Sequence, residues 1–208
     1  MKNIITIQHT QSVHHTNGMV GAWTDWELTE LGRKQAFNIS NSLKNELLGK
    51  DYVVFSSDLK RAIQTAEPLF QYVNSNLIIR KELREINEGE ATGKSREWYN
   101  LNKAENTYGT YYTDYKAFPG SESYRDLWYR IEPFMKELMD NETENIIIVS
   151  HGITLHLFFS MWIGLEFDQL LNFGTWAMAG GVSRLLLNDN GRREIQYLNN
   201  MSFQSQSN

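Results

Sequence analysis

Three short runs of β-branched and aliphatic residues, "IITIQHT" at 4–10, "YVVFSSD" at 52–58 and "NIIIVSHG" at 145–152, each stop abruptly in polar residues. A helix-like stretch follows each of them. Residues 3–8 read as a central strand. Thr29 is placed as the N-cap of a helix reaching about Leu47, in which Ala36, Ile39, Leu43 and Leu47 share one face. Asp58 is placed to cap a helix through about Phe70, with Ala62, Ala66, Leu69 and Phe70 inward. "NLIIRKELREI" holds a third strand. A helix starting near Glu122 presents Tyr124, Leu127, Trp128, Ile131, Met135 and Leu138, with Pro133 expected to kink or break it. "GVSRLLLND" and "REIQYLNN" read as a late hairpin turning on Asp189, Asn190 and Gly191. Strands alternating with helices imply a three-layer α/β/α sandwich with a mainly parallel central sheet.

The 208 residues suit one domain over 1–208, with the polar end from 201 to 208 expected to fray. Cysteine is absent, which excludes disulfides and thiolate zinc sites. The start "MKNIITIQHT" lacks a long apolar core and a small-residue cleavage site, and no apolar run approaches a membrane span, so a cytoplasmic address without a membrane partner is expected. A net charge of −5 argues against nucleic acid as a partner. If the substrate is anionic, positive charge must be gathered locally. Oligomeric state is not legible.

In parallel sheets, sites form outside the carboxyl ends of strands. His9 and His151 both occupy that position and are candidates for a nucleophile and its partner. Arg61 falls in the first turn of its helix, where its guanidinium and free backbone N–H groups can meet one anion. Glu85 is a candidate acid.

Taken in order, these pieces resemble the histidine phosphatase superfamily, the phosphoglycerate-mutase-like proteins, in its phosphatase branch. Gln8-His9-Thr10-Gln11-Ser12 stands where the family has Arg-His-Gly, an acid or amide, and Ser or Thr. "LTELGRKQA" at 28–36 looks like Leu-Thr-x-x-Gly-x-x-Gln-Ala. "SSDLKRAIQTA" is similar to Ser-Ser-x-x-x-Arg-Ala-x-Gln-Thr-Ala. "LREINEGEATG" fits Leu-x-Glu-x-x-x-Gly-x-x-x-Gly, and "PGSES" and "VSHG" complete the set.

The resemblance implies a phosphomonoester substrate, a small phosphorylated molecule, and a phosphohistidine on His9, with no metal and no other cofactor. Arg61, His151 and the amide near Gly152 would hold the phosphoryl oxygens. Glu85 would protonate the leaving oxygen and then activate water. Glu88 and Glu90, if near, would raise its pKa.

Two positions depart from the family. Gln8 replaces its Arg and Thr10 its Gly. Gln8 keeps hydrogen-bond donors for the phosphate but brings no charge. His15 stands where many family members place an Asn facing the phosphate, so His14 or His15 is a candidate to replace the missing cation in part. His156 reads as a core or semi-buried residue, and Trp23 and Trp26 as packing. Tyr99, Tyr108, Tyr111, Tyr112 and Tyr115 are either packing or a lid over the leaving group.

Two other functions compete. A cofactor-dependent phosphoglycerate mutase would carry an Arg-Arg pair after the acid block, but residues 94–120 contain Arg96 alone as arginine. A non-catalytic binder of phospho-ligands would fit Gln8, but it has no use for both a nucleophile and an acid.

Overall fold

The computed structural model describes residues 1–107, 113–140 and 142–205. Six strands form one sheet among them: β1 (Lys2–Gln8), β2 (Tyr52–Ser56), β3 (Leu77–Ile79), β4 (Asn145–Ser150), β5 (Val182–Leu187) and β6 (Arg193–Asn200), in the order β3-β2-β4-β1-β5-β6. The first four run parallel. β5 is antiparallel to β1, and β6 to β5. The helices are α1 (Glu30–Leu47), α2 (Lys60–Ala66), α3 (Arg96–Asn102), α4 (Tyr124–Asp140) and α5 (Gly152–Trp162).

Strand alternation sorts the apolar residues onto two faces. Ile5, Ile7, Val54, Ile147 and Val149 pack with Ile39, Leu43, Ala62 and Ala66 of α1 and α2. Ile4, Phe55, Ile146 and Ile148 pack with Leu127, Ile131, Leu155 and Phe158 of α4 and α5. The sheet is thus covered on both sides, as the continuous apolar runs require. Among the described residues no helix is long and apolar enough to cross a membrane.

The register prepares the site. Gln8 pairs with Ser150, and the His9 N–H donates to the Ser150 carbonyl at 2.9 Å. The two neighbouring strands therefore end side by side. The chain leaves β1 toward α1 on one face and leaves β4 into α5 on the other, which opens a crevice at the strand ends.

Several local expectations are corrected. Asp58 does not cap α2. Its carboxylate takes both arms of Arg84 at 2.6 Å, and the first amide of α2, that of Lys60, donates to Asp25 at 2.9 Å. α2 is also short, giving way to a 3-10 turn at Glu67–Gln71. Pro133 lies inside α4 without ending it, since the residue faces solvent and its missing N–H falls on the exposed side. Met201–Gln204, the start of the tail expected to fray, form a 3-10 turn: Asn38 and Ser42 of α1 donate to its carbonyls, and Phe203 packs on the core, while residues 206–208 lie outside the described residues.

Candidate active site

His9 is 2% exposed. Its Nδ1 lies 2.8 Å from the Thr10 carbonyl, and its Nε2 accepts from Nε of Arg61 at 3.2 Å. A ring with one acceptor neighbour and one donor neighbour is the neutral tautomer protonated on Nδ1. Burial, then the charge of Arg61, then His15 and His14 hold its pKa well below the usual histidine value. Nε2 thus keeps its lone pair free of protons.

The Thr10 carbonyl is fixed by its own residue. The Thr10 hydroxyl donates to the Gly32 carbonyl at 2.8 Å, and the Thr10 N–H donates to Thr65 at 3.1 Å. Gly32 is required here: a Cβ on it would stand 1.9 Å from the Gln11 carbonyl oxygen. The "LTELG" stretch therefore serves to dock the loop after β1 on the start of α1.

Arg61 is 1% exposed. Its remaining arms donate to the carbonyls of Thr24 at 2.8 Å and Ala22 at 2.7 Å. Ala22 has φ +40°, a left-handed conformation costly for a residue with a Cβ, and one of its carbonyl's partners is this guanidinium. Burial lowers the Arg61 pKa to about 10, with Glu85 and Asp25 opposing, so it stays charged at neutral pH.

His151 immediately precedes α5 and is fully buried. Both of its ring nitrogens lack a hydrogen-bond partner, and its ring centroid stands 5.0 Å from that of His9. A buried polar ring without a partner costs on the order of 1–3 kcal/mol unless a ligand satisfies it. Burial and then Arg61 and His9 keep it neutral. Next to it, the first N–H groups of α5 at Gly152 and beyond point out of the helix end, where the backbone dipole favours negative charge. The Gln8 amide lies beside Gly152, 3.5–3.6 Å from where a Cβ would stand, and its Oε1 is buried without a partner. A carboxylate meets each helix start: Asp25 takes the Lys60 amide of α2 and Glu85 the Ile153 amide of α5, and at α5 it is Gly152 that stands beside His151.

Glu85 sits at that same terminus. Its carboxylate accepts from Ile86 N–H at 2.9 Å and, at 3.4 Å, from Ile153 N–H. Its pKa is raised, and the cause is burial rather than Glu88 or Glu90, while those amides and Arg61 pull the other way.

The sequence reading missed what holds Glu85. Arg130 of α4 donates to the carbonyls of Glu82 at 2.8 Å, Arg84 at 3.1 Å and Glu85 at 3.0 Å, and grips Glu122 with two arms at 2.7 and 2.8 Å. Trp23, expected only to pack, donates its indole N–H to the Glu85 carbonyl at 2.7 Å and lies under Arg84. The signal for Arg130 was absent, since one arginine on an amphipathic helix looks like any solvated charge.

His15 stacks on His9 with centroids 5.4 Å apart and planes 10° apart, and His14 lies 5.6 Å away. Neither is a cation here, which corrects the expectation that one would replace the lost Arg charge. Burial first, then nearby positive groups, lowers His14 to about 3 and His15 to about 4. His15 Nδ1 accepts the Ser12 N–H at 3.1 Å, so its Nε2 carries a proton and is a neutral donor. Among the described residues, His9, His14 and His15 are the one group of three histidine or carboxylate side chains whose ligand atoms, within 4.8 Å of one another, could hold a metal. The donor tautomer of His15 and the guanidinium against His9 suit that cluster to an anion instead.

Tyr99 and Tyr115 pack against the small cluster of Ala91, Ala117 and Phe118. Tyr108, Tyr111 and Tyr112 lie outside the described residues. His156 is half-buried, as expected, and lines a cavity beside Glu85.

Known proteins carry the same arrangement of chain. Phosphoserine phosphatase 1 of Hydrogenobacter thermophilus is 26% identical over 176 residues, 84% of this chain and 82% of its own. A 2,3-bisphosphoglycerate-dependent phosphoglycerate mutase of Bartonella henselae is 25% identical over 178 residues, 82% and 86% of the two chains. The solved mycobacterial glucosyl-3-phosphoglycerate phosphatase superposes with a TM-score of 0.77 at 21% identity, over 96% of this chain and 99% of that one, a likeness of fold. The family model of the histidine phosphatase superfamily, branch 1, matches residues 4–201, and the chain belongs to that superfamily.

Proposed function

We propose that this chain, as one domain over residues 1–208, hydrolyses a small phosphomonoester through a phosphohistidine on His9. The observation that carries the reading is the buried His151 ring, with both nitrogens unpartnered, set 5.0 Å from a neutral His9 and beside a helix N-terminus. Such a pocket is unsatisfied until an anion with several oxygens enters it.

Nε2 of His9 attacks phosphorus with its lone pair while the ester P–O bond breaks. Arg61, His151 and the Gly152 amide hold the equatorial oxygens, and Gln8 and His15 add neutral donors. Glu85, kept protonated to higher pH by burial, gives its proton to the leaving oxygen. The resulting carboxylate takes a proton from water, whose oxygen attacks phosphorus. The N–P bond then breaks, inorganic phosphate leaves and the Nε2 lone pair returns. Each of these roles is filled by a side chain or amide of the protein. A mutase would need cations for a substrate carboxylate, and among the described residues no Lys or Arg lines the cavity beside Glu85.

The test is phosphate release from p-nitrophenyl phosphate at pH 5–8 with EDTA present. We expect turnover in the wild type and a loss of about 1,000-fold or more in His9→Ala. A wild type that binds phosphate yet releases none from any ester would overturn the reading in favour of a non-catalytic binder.

A further inference from the structure

A cavity of about 350 Å³ opens from Glu85 between the start of α5 and residues 173–177. That is at the small end of ligand sites, roughly 300–1,000 Å³. Its wall is mostly apolar: Tyr124, Ile153, Leu170, Phe173 and Trp176. Trp176 is 89% exposed, the most open of the large apolar side chains among the described residues. Among the described lining residues Glu85 is the one carboxylate, and none is Lys or Arg. Arg125, whose N–H bonds the Thr113 carbonyl on the cavity wall, is committed elsewhere: its guanidinium holds Asp114 at 2.6 Å and lies over Phe167. His156 accepts the Thr175 N–H on Nδ1 at 3.1 Å, so its Nε2 is a neutral donor.

We propose that the ester taken by this site has an uncharged, ring-bearing or alkyl leaving group, seated against Trp176 and Phe173 with its ester oxygen toward Glu85. The proposal rests on the hydrolase reading above and adds the substrate class to it. A carboxylate or second phosphate in that cavity would lose its water, meet Glu85, and find no cation. An aromatic ring or short alkyl chain would cover Trp176 and leave no charge unpaired. The histidine edge offers one hydrogen bond, enough to orient a hydroxyl or ether.

The test compares benzyl phosphate with O-phosphoserine. Both release a primary alcohol, so both ask similar chemistry of Glu85. We expect kcat/KM for benzyl phosphate to be at least about tenfold higher, and Trp176→Ala to shrink that ratio at least about threefold. Equal or better use of phosphoserine overturns the proposal. Calorimetry with benzylphosphonate and 3-phosphonopropionate reads the same preference without turnover. Tighter binding of benzylphosphonate by about tenfold is expected, and equal affinities overturn the assignment. If benzylphosphonate is preferred while no ester is cleaved, the hydrolase reading fails and the apolar site stands.

Discussion

The Nε of Arg61 donates to Nε2 of His9 across 3.2 Å, in a pair almost wholly shut off from solvent. The contact fixes the tautomer of His9 and, on the proposed mechanism, parks a permanent charge where the phosphoryl group would sit. It also requires a planar fork, because the other two arms are bound to Ala22 and Thr24. A lysine places one point charge and cannot serve three directions. Arg61→Lys should lower kcat/KM by about tenfold or more, and Arg61→Ala by about 100-fold or more. Steady-state kinetics checks both. Parity of Arg61→Lys with the wild type would mean that charge alone suffices.

On the proposed mechanism Glu85 is the acid and sets the alkaline limb of the first step. Its pKa is raised by burial, and so the protonated form persists above the ordinary carboxylate range. As pH rises through that pKa the acid form is lost and kcat/KM for alkyl esters falls. Burial and the charge of Arg61 hold His9 and His151 well below the usual histidine range, which favours their neutral forms and opposes an acid limb from either ring. The profile from pH 5 to 8 should therefore decline toward alkaline pH, and Glu85→Gln should flatten it while lowering it by about 100-fold or more. p-Nitrophenyl phosphate, whose leaving group needs little protonation, should suffer less.

Arg130 should behave as a positioning residue. It ties the carbonyls of Glu82, Arg84 and Glu85 to Glu122, and its hydrogen bonds go to those groups rather than to His9 or His151. Arg130→Met leaves Glu122 without its cation and takes one donor from each of those carbonyls in a mostly buried place, which costs about 3 kcal/mol of stability. If the clamp also sets Glu85, kcat should fall by about tenfold at little change in KM, and the alkaline limb should move. A variant that is less stable but keeps its pH profile would reduce Arg130 to a structural role.

What the sequence made legible was local. The strand ends with His9 and His151, the Arg61 turn and the Glu85 block each lie within about a dozen residues, and periodicity plus motif spacing exposes them. The links made at long range were hidden. Arg130 meets Glu85 from 45 positions away, and Asp25 takes the α2 amide from 35 away, displacing Asp58 from the cap it seemed to offer. The Asp58 carboxylate was instead claimed by Arg84, a bidentate pair stronger than a cap hydrogen bond. Charge state was hidden too: partial desolvation and the nearby charge of Arg61 lower the pKa of half-buried His14 to about 3 and of exposed His15 to about 4, which favours their neutral forms.

That neutrality makes folding stability depend on pH. All five histidines have pKa values lowered by burial, His14 to about 3 and His15 to about 4. The unfolded chain takes up protons near pH 6.5 and the folded chain does not. Stability is then flat above about pH 6.5 and falls as pH drops from there, His15 ceasing to contribute below about 4 and His14 below about 3. Urea midpoints should fall between pH 7 and 5, and a His14→Gln/His15→Gln double variant should show a shallower fall.

Gln8 offers the sharpest single test of the altered first motif. Its amide lies beside Gly152 with Oε1 buried and unpartnered, so the position is already polar and already faces the α5 terminus. With His14 and His15 neutral, Arg61 is the cation in direct contact with His9. Replacing the amide by a guanidinium adds a charge-assisted donor, worth about 1.5–3 kcal/mol against a phosphoryl group. Gln8→Arg should therefore tighten competitive inhibition by inorganic phosphate by about 10- to 150-fold and raise kcat/KM. Tighter phosphate without faster turnover would mean that the added charge grips ground state and transition state alike, and that Gln8 limits binding rather than the chemical step. No change in either quantity would place the position outside the phosphate pocket, and the neutral first motif would then need no compensation.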